Sequence, residues 1–262
     1  MTDPILSIRK MTKRFGGLTA VDNVSWDVYP GEVVGLLGDN GAGKSTLIKC
    51  VSGVYQAEEG EIYFEGRRSH FGRPIDARRE GIETIYQDLA LANNLDVGAN
   101  IFLGREEKKR YFGGLIKTLD DEKMLAESAA ALDSLEIHFP TLTQPIESLS
   151  GGQRQAVAIA RAVYWDARLM IMDEPTNNLG VPEQQKVLEM IRRLRDQGVP
   201  VILITHILPD VFAVSDRLVV MHRGRKVTEK KTSDTNSEEL VQYMVGVRDD
   251  NRPPAGAAAT AA

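Results

Sequence analysis

The sequence predicts an α/β fold with a mostly parallel sheet, an N-terminal antiparallel β subdomain and a helical insertion. Nearly continuous apolar segments at residues 32–37, 168–173 and 201–204 are typical of strands buried on both faces. Between the last two segments, apolar residues recur at helical spacing: Val187, Leu188, Ile191 and Leu194. A buried strand, an amphipathic helix and a second buried strand in this order predict a βαβ unit, and such units build parallel sheets.

The N-terminal region has a different pattern. Residues 5–29 alternate apolar and polar side chains, which indicates antiparallel strands with one exposed face, and residues 61–65 predict another short strand. A further strand is predicted at residues 82–86. From about residue 88 to residue 165 the pattern is mostly helical, and an alanine-rich helix is clearest at residues 124–135. We expect this stretch to form a helical subdomain.

The C-terminal part predicts a hairpin and a last helix. Residues 217–222 and 225–229 can pair about Arg223-Gly224, and residues 238–245 predict a short helix. The tail at residues 249–262 lacks side chains that could fill a core, so we expect it to be disordered. The glycine-rich loop described below is not repeated, so residues 1–248 are predicted to form one nucleotide-binding domain.

Composition excludes several classes of protein. The chain has 262 residues, a net charge of −5 and near-average hydrophobic content, which argues against gross disorder and against nucleic acid as the main partner. The single Cys50 cannot form an intrachain disulfide and is expected to be reduced and buried. The first residues lack the pattern of a secretory signal, and the apolar stretches are far shorter than the roughly 20 residues of a spanning helix. A membrane function would therefore need another chain.

A phosphate-binding loop is predicted at residues 38–45. Its glycines would let backbone N–H groups close on phosphate oxygens, and the helix that follows offers its positive end. Lys44 would reach the β- and γ-phosphates, and the Ser45 hydroxyl would ligate Mg²⁺. The alternative is a glycine-rich turn without function, but a buried strand before it and a helix after it favour the nucleotide site. The expected nucleotide ligands are Gly38, Asp39, Asn40, Gly41, Ala42, Gly43, Lys44, Ser45 and Thr46.

Two carboxylates follow the apolar run at residues 169–172. Asp173 would meet Mg²⁺ beside the phosphate loop, since it ends a buried strand. Glu174 would polarise the attacking water, because a nearby carboxylate can accept its proton. In isolation, Asp-Glu-Pro-Thr is more often an acidic turn, so this assignment depends on the phosphate loop.

A second anion-binding element is predicted at Leu149-Ser150-Gly151-Gly152-Gln153, directly before a helical run. A serine and two glycines at a helix start supply backbone donors and a hydroxyl. Alone, the string would be interpreted as a capped helix start.

Together these motifs, in this order with Ile204-Thr205-His206, make the chain similar to ATP-binding cassette (ABC) ATPases over roughly residues 5–230. The resemblance implies a P-loop NTPase core that binds ATP and Mg²⁺. It also implies a head-to-tail dimer with a second cassette, either identical or a paralogue. Each ATP would lie between one subunit's phosphate loop and the other's Ser150, Gly151, Gly152 and Gln153.

The resemblance implies roles for three more residues. Phe15 resembles the aromatic residue that stacks on adenine, and Gln87 the glutamine that reaches Mg²⁺ and the attacking water. His206 resembles the switch histidine that contacts the γ-phosphate and the catalytic carboxylate. Gly180 departs from the family pattern, which usually has an aspartate there. The resulting catalytic set is Glu174, His206 and Gln87, and the metal set is Ser45, Gln87 and Asp173.

The sequence around these motifs is similar to that of the ATP-binding subunits of single-cassette bacterial carbohydrate importers of the ribose/fructose class. This resemblance implies an ATPase at the cytoplasmic face of the cell membrane that drives separate permease subunits and works indirectly with a sugar-binding protein. The alternative is a regulatory or nucleic-acid-associated ABC ATPase without a permease, which the acidic charge and the lack of a coiled coil disfavour. A kinase-type protein would leave residues 149–153 without a role.

Overall fold

The computed structural model describes residues 3–111 and 116–251. The strands are β1 (Leu6–Phe15), β2 (Leu18–Val28), β3 (Val33–Leu37), β4 (Glu59–Phe64), β5 (Arg67–Ser69), β6 (Ile82–Ile85), β7 (Lys108–Tyr111), β8 (Ile116–Leu119), β9 (Leu169–Asp173), β10 (Val201–Ile204), β11 (Arg217–His222) and β12 (Arg225–Lys231). The helices are α1 (Lys44–Val51), α2 (Pro74–Arg79), α3 (Val97–Ile101), α4 (Asp121–Ser134), α5 (Gly151–Tyr164), α6 (Val181–Asp196), α7 (Leu208–Val214) and α8 (Ser237–Met244).

A six-stranded sheet in the order β12-β11-β3-β10-β9-β6 forms the centre of the protein. All neighbours pair in parallel except β11 and β12, and α6 connects β9 to the adjacent β10. The predicted fold class and βαβ unit are confirmed.

The sheet is apolar on both faces because a separate core covers each one. Val33, Met170 and Leu203 pack into the core beneath α5 and α6. Val34 and Ile202 face the opposite core, which they share with the N-terminal strands. Successive side chains alternate between the faces, so a strand covered on both sides needs apolar residues throughout.

The N-terminal region forms an antiparallel sheet in the order β2-β1-β4-β5, as predicted. Cys50 on α1 is buried in the core beneath it, as expected. Burial raises the pKa of its thiol to about 11, so the thiol stays protonated near neutral pH.

The insertion contains α3, α4 and α5 but also an antiparallel hairpin of β7 and β8, which the mostly helical prediction missed. Each strand has only four residues, too few for the period-two pattern to stand out. Residues 112–115, between the two strands in sequence, lie outside the described residues. None of the described helices is both long and apolar enough to cross a membrane.

The C-terminal hairpin turns at Arg223 and Gly224, whose positive φ angles of 46° and 82° are those of a type I′ turn. The first residues of the predicted disordered tail differ from the prediction. Asp250 accepts hydrogen bonds from the Thr228 hydroxyl at 2.5 Å and the Tyr243 hydroxyl at 2.8 Å, so it packs on β12. Composition could not reveal these two donors, because their approach to Asp250 depends on how β12 and α8 pack. The rest of the predicted tail, residues 252–262, lies outside the described residues.

Candidate active site

Three adjacent strands of the central sheet bring the candidate residues to one edge. At their carboxyl ends, β3 leads into residues 38–45, β9 ends at Asp173-Glu174 and β10, which lies between them, leads to His206. Parallel strands place their carboxyl ends at the same edge, which is where ligands bind in α/β sheets. The fold therefore assembles residues that lie more than 160 positions apart in sequence.

The glycine loop is shaped by close backbone contacts. A Cβ on Gly38 would lie 2.4 Å from the Met221 carbonyl oxygen, and one on Gly43 would lie 2.4 Å from the Ala20 carbonyl oxygen. Both residues have positive φ, of 149° and 99°. Gly43 caps α1 without a side-chain hydrogen bond, so the first N–H groups of this helix are free for an anion. These features fit a phosphate cradle.

Lys44 lies buried within this loop. Its Nζ donates to the carbonyl oxygens of Gly38 at 2.8 Å and Asp39 at 3.1 Å. Burial lowers the pKa of the Lys44 amine, and the nearby Glu174, Asp173 and Asp39 carboxylates oppose this shift. The ammonium group is thus held at the loop with only partial compensation from carboxylates, a setting that favours a further anion.

A cavity of about 600 Å³ lies above the loop. Residues 40–46, Asp173, Glu174 and Phe15 line it, all of them residues named above as nucleotide, metal or catalytic candidates, whereas Gly38 and Asp39 do not line it. The Phe15 ring is half-exposed and packs edge-on against Tyr55, with 5.2 Å between ring centroids. Arg223 and Leu18 also line the cavity but were missed, since neither belongs to a sequence motif.

Asp173 and Glu174 form an acidic pair at the cavity. Burial, and next the charge of Glu174, raise the pKa of Asp173. Glu174 has a φ of 51°, which is unusual for a residue with a side chain. Its Oε1 lies 3.1 Å from His206 Nδ1, and its Oε2 accepts a hydrogen bond from Asn177 Nδ2 at 2.9 Å. Asn177 was not predicted as a site residue.

Gln87 lies outside the cavity wall. It is exposed two residues after β6, whose neighbour in the sheet is β9. Its loop therefore emerges at the same edge of the sheet as the acidic pair.

Ser150, Gly151, Gly152 and Gln153 lie elsewhere. Ser150 and Gln153 form a reciprocal cap at the start of α5: Gln153 N donates to Ser150 Oγ at 3.4 Å, and Ser150 N donates to Gln153 Oε1 at 2.9 Å. Ser150, Gly152 and Gln153 line a second cavity of about 520 Å³, between α5, α6 and the segment after α4. The two predicted anion-binding elements thus do not share a cavity within this chain.

Comparison with known proteins decides the family. A family model described as "ABC transporter" matches residues 21–177. The chain belongs to this family. It is therefore an ATP-binding protein and an ABC-type ATPase.

Two curated ABC proteins match nearly their full length. The Xylose/arabinose import ATP-binding protein XylG of Sulfolobus acidocaldarius is 49% identical, with 92% of this chain and 93% of that protein covered. The Fructose import ATP-binding protein FrcA of Rhizobium meliloti is 43% identical, with coverages of 95% and 97%. The Ribose import ATP-binding protein RbsA of Yersinia pestis is 40% identical, and the match covers 93% of this chain but 46% of that one.

Solved structures of ABC cassettes have the same fold. A nucleotide-free ATP-binding cassette from an ABC transporter has a TM-score of 0.78 and 27% identity, with 93% of this chain and 96% of that chain covered. A dimeric cassette bound to ADP and phosphate in a post-hydrolysis state has a TM-score of 0.71 and 24% identity, with coverages of 87% and 98%.

Proposed function

We propose that this ABC protein is the ATP-hydrolysing subunit of a monosaccharide importer. The observation that carries the ATPase part is the convergence of the glycine loop, Asp173, Glu174 and His206 at one edge of the central sheet. The monosaccharide part rests on full-length relatives whose names give xylose/arabinose and fructose import.

The candidate site residues have distinct chemical roles in this proposal. Backbone N–H groups of residues 38–46 and the Lys44 ammonium hold the phosphates, while Phe15 packs against adenine. Ser45, Asp173 and Gln87 hold Mg²⁺, which neutralises developing charge on the phosphates. The described residues contain no cluster of three or more His, Cys, Asp or Glu side chains that could hold a metal. A hydroxyl and a single carboxylate beside phosphates suit Mg²⁺, which keeps several waters.

Glu174 acts as the base for the attacking water. His206 and Asn177 each contact one carboxylate oxygen of Glu174, so the two residues orient this group. A fixed carboxylate loses less freedom when water is positioned for attack.

Two cassettes complete each site. The separation of residues 150–153 from the cavity above residues 38–45 supports a dimer in which each motif serves the partner's nucleotide. A solved cassette of the same fold is dimeric with ADP and phosphate bound, which is compatible with this proposal. The partner is a second copy or a paralogous cassette.

A groove beside Gln87 suits a permease segment. It has a volume of about 230 Å³ and is lined by Arg78, Glu83, Leu103, Arg105 and Arg161, among others. The groove has three arginines and a single carboxylate, the mostly buried Glu83, so its net charge is positive. Burial raises the pKa of Glu83. Docking there would connect a membrane chain to the loop that carries Gln87. The protein then lies peripherally at the cytoplasmic face of the cell membrane, and a sugar-binding protein delivers the sugar on the other side.

We also propose residues 1–248 as the ATPase domain, with residues 88–165 as the helical subdomain that moves when nucleotide binds. The subdomain carries Ser150 and the groove residues Leu103, Arg105 and Arg161. Its motion would therefore couple the dimer interface to the permease.

Replacing Glu174 tests this function. Glu174→Gln keeps the shape and the hydrogen bonding to Asn177 but loses the base, so we expect ATP binding to persist and phosphate release to fall by at least about 100-fold. The same variant should stop ATP-dependent monosaccharide uptake in vesicles that contain the co-purified permease. Glu147→Gln, at an exposed glutamate before α5, is the matched control. Unchanged turnover in this variant would contradict the role of Glu174 as the base. ATP hydrolysis by a protein that associates with no permease would contradict the importer function.

A further inference from the structure

The hairpin of β7 and β8 concentrates positive charge on one face. Its register pairs Lys108 with Leu119 and Arg110 with Lys117, and side chains of directly paired residues share a face. Lys108, Arg110 and every residue of β8 are exposed. We call the face formed by Lys108, Arg110, Lys117 and Leu119 the basic face.

The cations of this face lack carboxylate partners among the described residues. By contrast, Lys109 on the opposite face lies 3.1 Å from Asp120 and 3.0 Å from Glu122. Glu107, which adjoins Lys108 in sequence, instead lies 3.0 Å from Lys123, and Glu106 accepts a hydrogen bond from Gly104 N at 2.8 Å. Arg110 and Lys117 stand directly opposite each other, and like charges so placed destabilise a hairpin. An external anionic surface would relieve this repulsion.

The shape of the face points to the kind of partner. None of the cavities described above is lined by residues of β7 or β8, so the face offers charge without a concave pocket. A fluid surface of phosphate headgroups needs only such charge density, and the half-exposed Leu119 can enter the interfacial layer beside it. The hairpin also follows Leu103 and Arg105 in the chain, two residues of the groove proposed for the permease.

We propose that the basic face contacts anionic phospholipid headgroups of the membrane in which the permease lies. This inference rests on the proposed function, which brings the protein to a membrane. Each cation near an anionic surface strengthens attachment about fivefold, so three contribute about a hundredfold. For a chain with a net charge of −5, this is enough for weak, salt-sensitive binding and too little for stable attachment. The contact therefore orients a subunit that the permease already holds.

Vesicle binding by the isolated full chain tests the inference. Vesicles of phosphatidylcholine alone are compared with vesicles containing one third phosphatidylglycerol, at low and high salt. We expect the wild type to prefer the anionic vesicles and to lose this preference at high salt. The variant Lys108→Gln/Arg110→Gln/Lys117→Gln should bind them about a hundredfold more weakly. Lys10→Gln/Arg67→Gln/Lys231→Gln, with the same net charge but scattered exposed sites, should stay close to the wild type.

Separate readouts keep this inference apart from the proposed function. Basal ATPase activity should be unchanged in both triple variants. The thermal transition of the basic-face variant should not fall, because its substitutions remove the repulsion between Arg110 and Lys117. Arg110→Gln alone should give the fivefold loss if the triple variant does not fold. Equal vesicle binding by the two triple variants would overturn the lipid contact. A second result would also overturn it. If the variant without the basic face binds vesicles normally but no longer associates with the permease, the face binds protein and not lipid. Either result leaves the ATPase roles of Glu174 and His206 intact.

Discussion

Glu174 shows how much of the site depends on a single residue's backbone. Its positive φ turns the chain sharply after β9, and its N–H donates to the Ile204 carbonyl oxygen at 2.8 Å. A residue with a Cβ adopts this conformation at a cost of order 1–3 kcal/mol. The turn aims the carboxylate at His206 from the neighbouring strand instead of letting it follow the strand direction. The strain is thus used to orient the candidate base.

Asp173 provides a test that depends on pH. Burial and the charge of Glu174 raise its pKa, so the ionised carboxylate destabilises the nucleotide-free fold at pH values above that raised pKa. Asp173→Asn is expected to increase the free energy of unfolding at pH 8, and the gain should shrink as the pH falls through the raised pKa towards the ordinary value. Urea unfolding of both proteins across this range measures the difference.

The same variant separates stability from function. With Mg²⁺ and ATP present, the wild type should gain more stability than Asp173→Asn, because the carboxylate is proposed to hold the cation. Glu147→Gln serves again as a control without a buried charge. A gain in unfolding free energy that is the same at every pH would contradict the assigned pKa direction.

At the scale of elements, the start of α5 packs closely against the segment that leads into α6 and against the first turn of α6. A Cβ on Gly151 would lie 2.6 Å from Leu179 Cδ2, and one on Gly152 would lie 3.0 Å from Glu183 Cβ. The two glycines therefore serve packing within the chain in addition to their proposed role at a partner's nucleotide. The segment itself is fixed from the other side, where the buried Asp210 accepts hydrogen bonds from Thr176 Oγ1 at 2.6 Å and Gln184 Nε2 at 3.0 Å.

Gly151→Ala tests this packing. Gly151 is exposed and the contacted atom ends a flexible side chain, so overpacking is expected to lower the free energy of unfolding by about 1 kcal/mol, before any gain from the better helix propensity of alanine. In a Leu179→Ala background the clash is removed, so the same substitution should become neutral or stabilising. Gly17→Ala, with no atom within 4 Å of the added Cβ, is the control. Chemical denaturation of the wild type, the two single variants and the double variant gives the coupling energy between positions 151 and 179. Additive effects would show that Leu179 does not limit the size of residue 151.

Gly180 is a departure from the family pattern that the local structure tolerates well. The nearest atom to an added Cβ is Pro182 Cδ at 3.9 Å, so no steric contact explains the missing aspartate. Gly180 caps α6 without a side-chain hydrogen bond. The hydrogen bonds of Asp210 to Thr176 and Gln184 fix the segment around it.

At the scale of the whole molecule, the two cavities predict a nucleotide-dependent assembly. Ser150, Gly152 and Gln153 line a different cavity from residues 40–46, which is consistent with the proposal that a second cassette completes each site. Glu174→Gln with Mg²⁺ and ATP should therefore form a dimer in light scattering, whereas the same variant with ADP should remain monomeric, since a ligand stabilises only the state that binds it better. Ser150→Glu, which adds negative charge where a phosphate is expected, should prevent the dimer without abolishing ATP binding. A strictly monomeric complex with ATP would contradict the shared site.

The chemistry proposed for the site and most of the fold can be predicted from the sequence alone. Residues 38–45 and 173–174 can be recognised in the sequence, because phosphate binding requires glycine backbone and a few fixed side chains at short spacing. The strands of the central sheet are equally visible, since burial on both faces leaves continuous apolar segments. The resemblance to ABC ATPases added Phe15, Gln87 and His206, which no local pattern singles out.

The contacts between separate segments of the chain follow from the tertiary structure and could not be predicted from the sequence. The Asn177 contact with Glu174, the Leu179 contact with Gly151 and the cavity position of Arg223 depend on how separate strands and loops meet. The hairpin of β7 and β8 was missed because strand pairing stabilises it more than its own four-residue patterns do. The separation of the two predicted anion-binding elements also follows from packing. The sequence shows which groups can bind phosphate, and packing determines whether they can reach the same phosphate.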